Sequence, residues 1–163
     1  LTGMEAHDAD GAFSPSGPIP VTDRRMFVRS ADEMRAGGKE RVQAGGTARS
    51  IRMLTAKDEM GFTLCDVHLD AGAAVDHWYK HHWEANHVLS GNGKVEDLTT
   101  GESWALEPGM LYCVGPRDRH RITADTAIHQ LSVFCPALRG DEKHDEEGTI
   151  PASGPTPPGP KRS

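Results

Sequence analysis

The stretch from His77 to Gly93 concentrates the residues able to do chemistry: His-Trp-Tyr-Lys-His-His-Trp-Glu-Ala-Asn-His-Val-Leu-Ser-Gly-Asn-Gly. It holds four histidines, a tyrosine and a glutamate beside a short apolar run. In a strand alternate side chains share a face, so His82, Glu84, Asn86 and Val88 are expected on one side and Ala85, His87 and Leu89 on the other. A glutamate on the inner face of a barrel is costly unless something pairs with it, such as a metal ion or a substrate amine. Further on, Pro116-Arg-Asp-Arg-His120 sets a histidine just after a proline turn. Tyr112 stands on the strand leading into that turn and shares a face with Met110 and Val114. If that face is the cavity, Glu84, His120 and Tyr112 offer a carboxylate, an imidazole and a phenol. Such a mixed nitrogen and oxygen set with open positions suits iron(II), zinc or manganese as a Lewis acid.

Elements must carry these side chains. Ser30-Ala-Asp-Glu33 is a capping box, and Gly37-Gly38 ends the short helix it predicts. From Thr47 onward the pattern is short strands: Ser50 to Leu54, Phe62 to Leu69, the focal segment, Lys94 to Leu98, Ser103 to Leu106, Met110 to Val114, Arg119 to Thr123 and Ala127 to Phe134. Turn residues punctuate them every eight to twelve positions, which predicts an all-β sandwich or barrel. Ser90-Gly-Asn-Gly93 reads as a hairpin turn, with Lys94 to Leu98 pairing back onto the strand before it.

The chain of 163 residues suits one domain with one real core. A formal net charge of −6 argues against a nucleic-acid partner. No apolar run approaches the ~18 residues of a membrane span, and no charged-then-apolar leader opens the sequence. Cys65, Cys113 and Cys135 are odd in number, lack metal-finger spacing and lie in apolar segments. Buried free thiols in a reducing, cytoplasmic setting are therefore expected. Residues 1–25 carry no apolar periodicity, whereas Met26 opens a domain-like start; the segment is expected to be a disordered tail or an extension from an upstream start. The barrel is expected over 26–138, a polar segment over 139–148, and a disordered Pro/Gly-rich tail over 149–163.

Structural readings of the same residues stand beside the chemical ones. His68 and His129, isolated in apolar strands, read as hydrogen-bonded core or interface histidines. His77, His81 and His82 also fit a solvated loop cluster. Trp78, Trp83 and Trp104 read as packing residues, and Asp141 to Glu147 as a solvated tail.

The spacing Gly72…His77-x-Tyr79-x4-Glu84-x6-Gly91, followed by Gly109…Pro116…His120, resembles the two motifs of a cupin, with Tyr79 where the second histidine would stand. A narrower resemblance rests on Ile51-Arg-Met-Leu, Met60-Gly-Phe, Trp78-Tyr-Lys-x-His82-x-Glu84-Ala, Val95-Glu-Asp-Leu98-x-x-Gly101-Glu102 and Pro108-Gly-Met-x-Tyr112. Asp118-Arg-His120, Val133-Phe134-x-Pro136 and Gly140-x-Glu142-x-His144-Asp145-Glu146 extend it. Over about Met26 to Pro151 the chain resembles the ectoine synthase family. The resemblance implies a small single-domain cupin, a jelly-roll-like barrel with a short N-terminal helix, forming a homodimer. It implies a small-molecule substrate, N-γ-acetyl-L-2,4-diaminobutyrate, cyclised to ectoine with loss of water. It implies a divalent metal, iron(II) foremost, held by Glu84, Tyr112 and His120. It places Arg52, Tyr79, His82, Phe134, Glu142 and His144 in the substrate pocket and makes the segment around Glu142 a lid.

Ring closure joins the substrate's α-amine to its own amide carbonyl. The metal would polarise that carbonyl, and Tyr79, His82, Glu142 and His144 are the candidates for moving protons. The chain departs from the family pattern at Ala48, where a tryptophan is usual, at Ile51 (arginine), at Val67 (threonine) and at Ser132 (cysteine). His77, His81 and His87 also replace residues typically Ile, Asn and an aromatic. A smaller residue at Ala48 enlarges the pocket, and Val67 removes a polar anchor of the kind that sets specificity. Two competing readings follow: a related cyclase or dehydratase acting on another N-acyl diamine, and a non-catalytic cupin that binds a small metabolite.

Overall fold

A computed structural model describes residues 26–43, 45–144 and 149–152. The expected tail at 1–25, positions 145–148 of the polar segment and 153–163 of the C-terminal tail lie outside the described residues. The helix forms where the capping pattern puts it: α1 spans Ala31–Ala36, with Ser30 Oγ accepting from the Glu33 amide. It is short and amphipathic only in outline, with no buried residue, so tertiary contact with the neighbouring strand must hold it.

Ten strands follow. They are β1 (Glu40–Val42), β2 (Ala48–Leu54), β3 (Thr63–Leu69), β4 (Ala74–His77) and β5 (Trp83–Ser90). Then come β6 (Gly93–Asp97), β7 (Ser103–Leu106), β8 (Leu111–Val114), β9 (His120–Ala124) and β10 (Ile128–Cys135). They form two antiparallel sheets, β1-β2-β3-β10-β5-β8 and β4-β9-β6-β7, the two layers of a small cupin sandwich. Period-two burial is clearest on β10, where Ile128, Gln130, Ser132 and Phe134 are buried and the residues between are not. On β5 Glu84, Asn86 and Val88 point in and His87 and Leu89 out, as the parity of the sequence predicts.

The interior divides into two apolar clusters. Ala48, Leu69, Val75, Val88, Ile122 and Ile128 anchor one. Cys65, Tyr79, Val114, Phe134, Leu138 and Ile150 form the other. Val67 and Tyr112 pack against both, so they sit at the junction.

Three expectations are corrected here. The Ser90-Gly93 segment is not the tip of a hairpin: β6 pairs with β7 and β9 in the second sheet, and β5 pairs with β10 and β8 in the first. The glycines are needed for close approach rather than for a two-residue turn. A Cβ on Gly91 would lie 2.1 Å from the Ala127 carbonyl oxygen, and one on Gly93 2.1 Å from that of Thr123. The backbone groups of Asn92 are satisfied by the 124–127 corner, through Asp125 N at 2.9 Å, Thr126 N at 3.1 Å and Thr126 Oγ1 at 2.8 Å. The expected C-terminal tail begins later than Thr149, because Thr149 and Ile150 are buried; the isoleucine fills the second cluster and the threonine hydroxyl donates to the Trp78 carbonyl. The thiols are not uniformly buried either: all three are free, but Cys113 is exposed on the edge strand β8 and Cys135 is half-buried at the end of β10, at a position whose parity points outward.

Gly93→Ala is expected to destabilise the protein by about 1–3 kcal/mol through overpacking against Thr123. Urea denaturation checks this: the midpoint should fall with an unchanged m value, and an unchanged midpoint would refute the close approach.

Candidate functional site

The inner faces of β2, β3, β4, β5 and β10 line a narrow cavity that opens to solvent. Strand parity brings the predicted residues Arg52, Val67, Tyr79, Glu84, Ser132 and Phe134 to its wall, and His144 reaches it from the segment after β10. Tyr112 and His120 instead line an adjoining groove between the free edges of β7 and β8. Glu84 and His120 meet at the boundary between the two spaces, with Oε2 and Nε2 4.0 Å apart. His82 and Glu142 are buried but line neither space.

The corner between Glu84 and His120 is chemically incomplete. Both side chains are almost wholly buried, and among the described residues Glu84 Oε2 and His120 Nε2 have no hydrogen-bond partner. His120 Nδ1 lies 3.1 Å from the Asp118 carbonyl oxygen. A carbonyl only accepts, so Nδ1 carries the proton and Nε2 presents a bare lone pair. Burial pushes the His120 pKa down, against the smaller upward pull of Asp118, and so keeps the ring neutral. Burial pushes the Glu84 carboxyl up to about 7, while hydrogen bonds to Asn86 and Ser132 pull the other way. Burial also raises the Tyr112 phenol, and the nearby Glu84 charge raises it further. A neutral imidazole nitrogen and a carboxylate oxygen left bare in a dry corner are a donor pair that fits a divalent cation. Donors on one such ion lie roughly 2.9–3.4 Å apart, so these two atoms, 4.0 Å apart, would have to draw together by roughly 1 Å or less to hold it.

Behind these donors runs a polar network that the sequence reading only half anticipated. Gln130 Nε2 donates to Asn86 Oδ1 at 2.9 Å and to the Tyr112 hydroxyl at 3.2 Å, and Ser132 Oγ also donates to Asn86 Oδ1. The network fixes Tyr112 beside Glu84. Gln130 could have been found from the inward parity it shares with Ser132 and Phe134.

The predicted proton-transfer candidates occupy different settings. Tyr79 Oη lies 3.4 Å from His144 Nε2, and its ring meets Phe134 edge-on at 5.1 Å. Burial drives the Tyr79 pKa well up. His82 also packs edge-on against Phe134, and burial lowers its pKa to about 4. Glu142 is held on every side: Arg52 Nη1 donates to Oε2 at 2.9 Å, Arg139 N to Oε1 at 2.6 Å and Gly140 N to Oε2 at 2.9 Å. Arg52 Nη2 also donates to the Glu142 carbonyl. This geometry makes the Arg52–Glu142 pair the anchor that ties the 139–144 segment to β2.

His77 is the residue the sequence reading placed worst. It is not part of a solvated loop cluster. Its ring is buried among Tyr79, His144 and His120, with centroids 5.3, 5.4 and 5.8 Å away, and Nε2 meets Gln43 Oε1 at 3.0 Å. Of the departures from the family pattern, Ala48 and Val67 do line the cavity; Ile51 is buried but lies off the cavity wall, on the other face of β2.

A second donor cluster lies outside the barrel. Asp66, His68 and His129 are the described residues whose carboxylate and imidazole groups come close enough together to hold one divalent ion. His68 and His129 are hydrogen-bonded as the structural reading expected, each through Nε2 to Asp66 at 2.8 Å.

With this geometry in hand, similarity to known proteins is informative. A sequence model of ectoine synthase matches residues 26–154. L-ectoine synthase of Oceanobacillus iheyensis is 41% identical over 126 residues, 77% of this chain and 97% of that protein. L-ectoine synthase of Sphingopyxis alaskensis is 42% identical over 127 residues, 78% of this chain and 91% of that one. The crystal structure of ectoine synthase from P. lautus superposes with a TM-score of 0.68 at 36% identity, covering 76% of this chain and 87% of that one. A Cupin 2 barrel protein from Salinispora arenicola shares the fold at 16% identity, with a TM-score of 0.55. Identity of this level across nearly the full length of the relatives is a family relationship, and the chain belongs to the ectoine synthase family.

Proposed function

We propose that this protein catalyses the cyclodehydration of N-γ-acetyl-L-2,4-diaminobutyrate to ectoine. The observation that carries the reading is a pair of bare, buried donor atoms, Glu84 Oε2 and His120 Nε2, beside a cavity in a chain whose named relatives are L-ectoine synthases. In this reaction the α-amino nitrogen bonds to the acetyl carbonyl carbon, the carbonyl oxygen takes up two protons, and a C=N bond forms as water leaves. A divalent ion held by Glu84, Tyr112 and His120, iron(II) foremost with zinc or manganese as alternatives, would supply Lewis-acid polarisation of that carbonyl.

The chain's own residues do the rest. The cavity wall, with Phe134 and Val67 on its apolar side, folds the substrate so that its two ends meet, the proximity contribution to rate. Tyr79 and His144, within hydrogen-bond reach of each other at the cavity, are the pair to which we assign proton exchange with the amine and the departing oxygen. The lid role falls to the described residues 139–144. Leu138 packs in the core before them and Arg52–Glu142 fastens them to β2, which supports exclusion of bulk water and disfavours re-hydrolysis. Ala48, Val67 and His77 on the wall favour an alternative in which a bulkier or more polar N-acyl diamine is also accepted.

The free thiols support a reducing, cytoplasmic setting. Homodimer formation is supported by apolar side chains that a lone chain leaves wet among the described residues, Met26 and Val28 ahead of α1 and Leu111 on the open edge of β8.

Purified protein with anaerobic iron(II) and N-γ-acetyl-L-2,4-diaminobutyrate is expected to yield a product lighter by one water. No product from metal-loaded protein would overturn the assignment, and a longer N-acyl substrate in the same assay tests the alternative. Glu84→Gln should lose metal and activity together, by roughly 100-fold or more in rate. Glu142→Ala should keep metal but lose activity, and leaving Arg52 buried and unpaired should cost about 3 kcal/mol of stability.

Metal-free protein carries a pH signature. Burial raises the Glu84 pKa from 4.5 to about 7. A raised folded-state pKa contributes stability fully below the unfolded value and loses it as pH rises through the folded one. Metal-free wild type is therefore expected to lose stability from about pH 4.5 to 7 relative to Glu84→Gln, measured by urea denaturation. Parallel profiles would show that Glu84 is not buried unpaired.

A further inference from the structure

We infer that Asp66, His68 and His129 form a second metal site, on the outer face of the six-stranded sheet, for a late first-row divalent cation such as zinc. His68 on β3 and His129 on β10 are directly opposed cross-strand partners, and Asp66 lies two residues back on the same face of β3. Opposed residues bring their Cβ atoms about 4.5–5.5 Å apart, and here the rings stack with centroids 4.2 Å apart and planes 8° apart. Cys65 and Val67, between and beside these positions on β3, point into the cavity. The cluster therefore faces away from Glu84 and His120 and is separate from the barrel site.

Both Nε2 atoms already converge on one carboxylate, His68 on Oδ1 and His129 on Oδ2, each at 2.8 Å. All three donor groups lie within 4.8 Å of one another. Two donors on one zinc ion, each about 2.0–2.2 Å from it, lie roughly 2.9–3.4 Å apart. The existing spacing needs only a small opening to admit the ion in place of the shared protons. Neither imidazole makes a hydrogen bond through Nδ1 among the described residues, so each can carry its remaining proton there. Arg35 is the competing cation, with Nη2 3.8 Å from Asp66 Oδ1, but it is held off by closer bonds to Glu40 at 3.0 Å and Asp32 at 2.6 Å. The half-exposed rings leave the outer coordination positions to water. Two imidazoles select late first-row ions over magnesium or calcium. Bound there, the ion clips β3 to β10, the central pair of the sheet whose inner face carries Val67, Ser132 and Phe134.

The test does not depend on the proposed reaction. Wild type, His68→Gln, Asp66→Asn and Glu84→Gln are incubated with excess zinc, desalted, and assayed for zinc per chain. His68→Gln and Asp66→Asn should each hold one equivalent less than wild type, whether or not Glu84 is also replaced, and His68→Gln should keep its turnover. Wild-type levels of zinc in both variants would overturn the site. Should His68→Gln or Asp66→Asn fail to fold, proteins with the cluster intact decide: added zinc should shift the His68 and His129 imidazole NMR signals in both wild type and Glu84→Gln. Signals that stay in place would refute it.

Discussion

The structure depends on one unresolved electrostatic demand. Among the described residues Glu84 is buried with a bare oxygen, and His120 Nε2, 4.0 Å from it, is an acceptor and cannot donate to it. Two lone pairs facing each other across 4.0 Å in a dry interior repel. Only a cation, a proton or a donor from a ligand relieves them. Beside the hydrogen-bonded network of Asn86, Gln130, Ser132 and Tyr112, this corner sets a carboxylate oxygen and an imidazole nitrogen, both strong metal donors, against each other.

The fold supplies that corner at low cost because its donors arrive from both sheets. Glu84 and Tyr112 come from β5 and β8, which pair directly through Asn86 opposite Tyr112. His120 opens β9 in the other sheet, directly opposite His77 on β4. The crossing between layers at Ser90–Gly93 makes this possible: a true hairpin would have kept β6 beside β5 and left β9 without its neighbour. Close backbone contact at Gly91 and Gly93 is thus part of how the site is built. Below the cavity, Arg52 and Glu142 perform the converse task, a fully hydrogen-bonded buried ion pair that fixes a segment in place.

The outer face of the same sheet shows the principle that a two-residue period gives each strand two independent functions. On β3, Cys65 and Val67 shape the cavity while Asp66 and His68 assemble a polar cluster with His129 behind it. Changes to one face leave the other's register intact, because the backbone ladder between β3 and β10 is common to both.

Much of this was legible in the sequence. The alternation along residues 82–88 fixed which side chains turn inward, since a strand's period is local and geometric. The capping residues placed α1, and the glutamate, tyrosine and histidine at 84, 112 and 120 stood out by chemical type and order. Tertiary structure decided the rest. Whether His77 faces water or the core depends on which strand covers it, and the answer, β9 with His120 beside it, lies more than forty positions away in the chain. The role of Glu142 depends on reaching Arg52 across 90 residues, and the pairing of His68 with His129 on a register between strands far apart in sequence. The Ser90–Gly93 turn carries hairpin residues, yet its glycines answer to a backbone from the other end of the barrel. Local periodicity is written into neighbouring residues, whereas contact between distant strands is set by the packing of the whole sandwich.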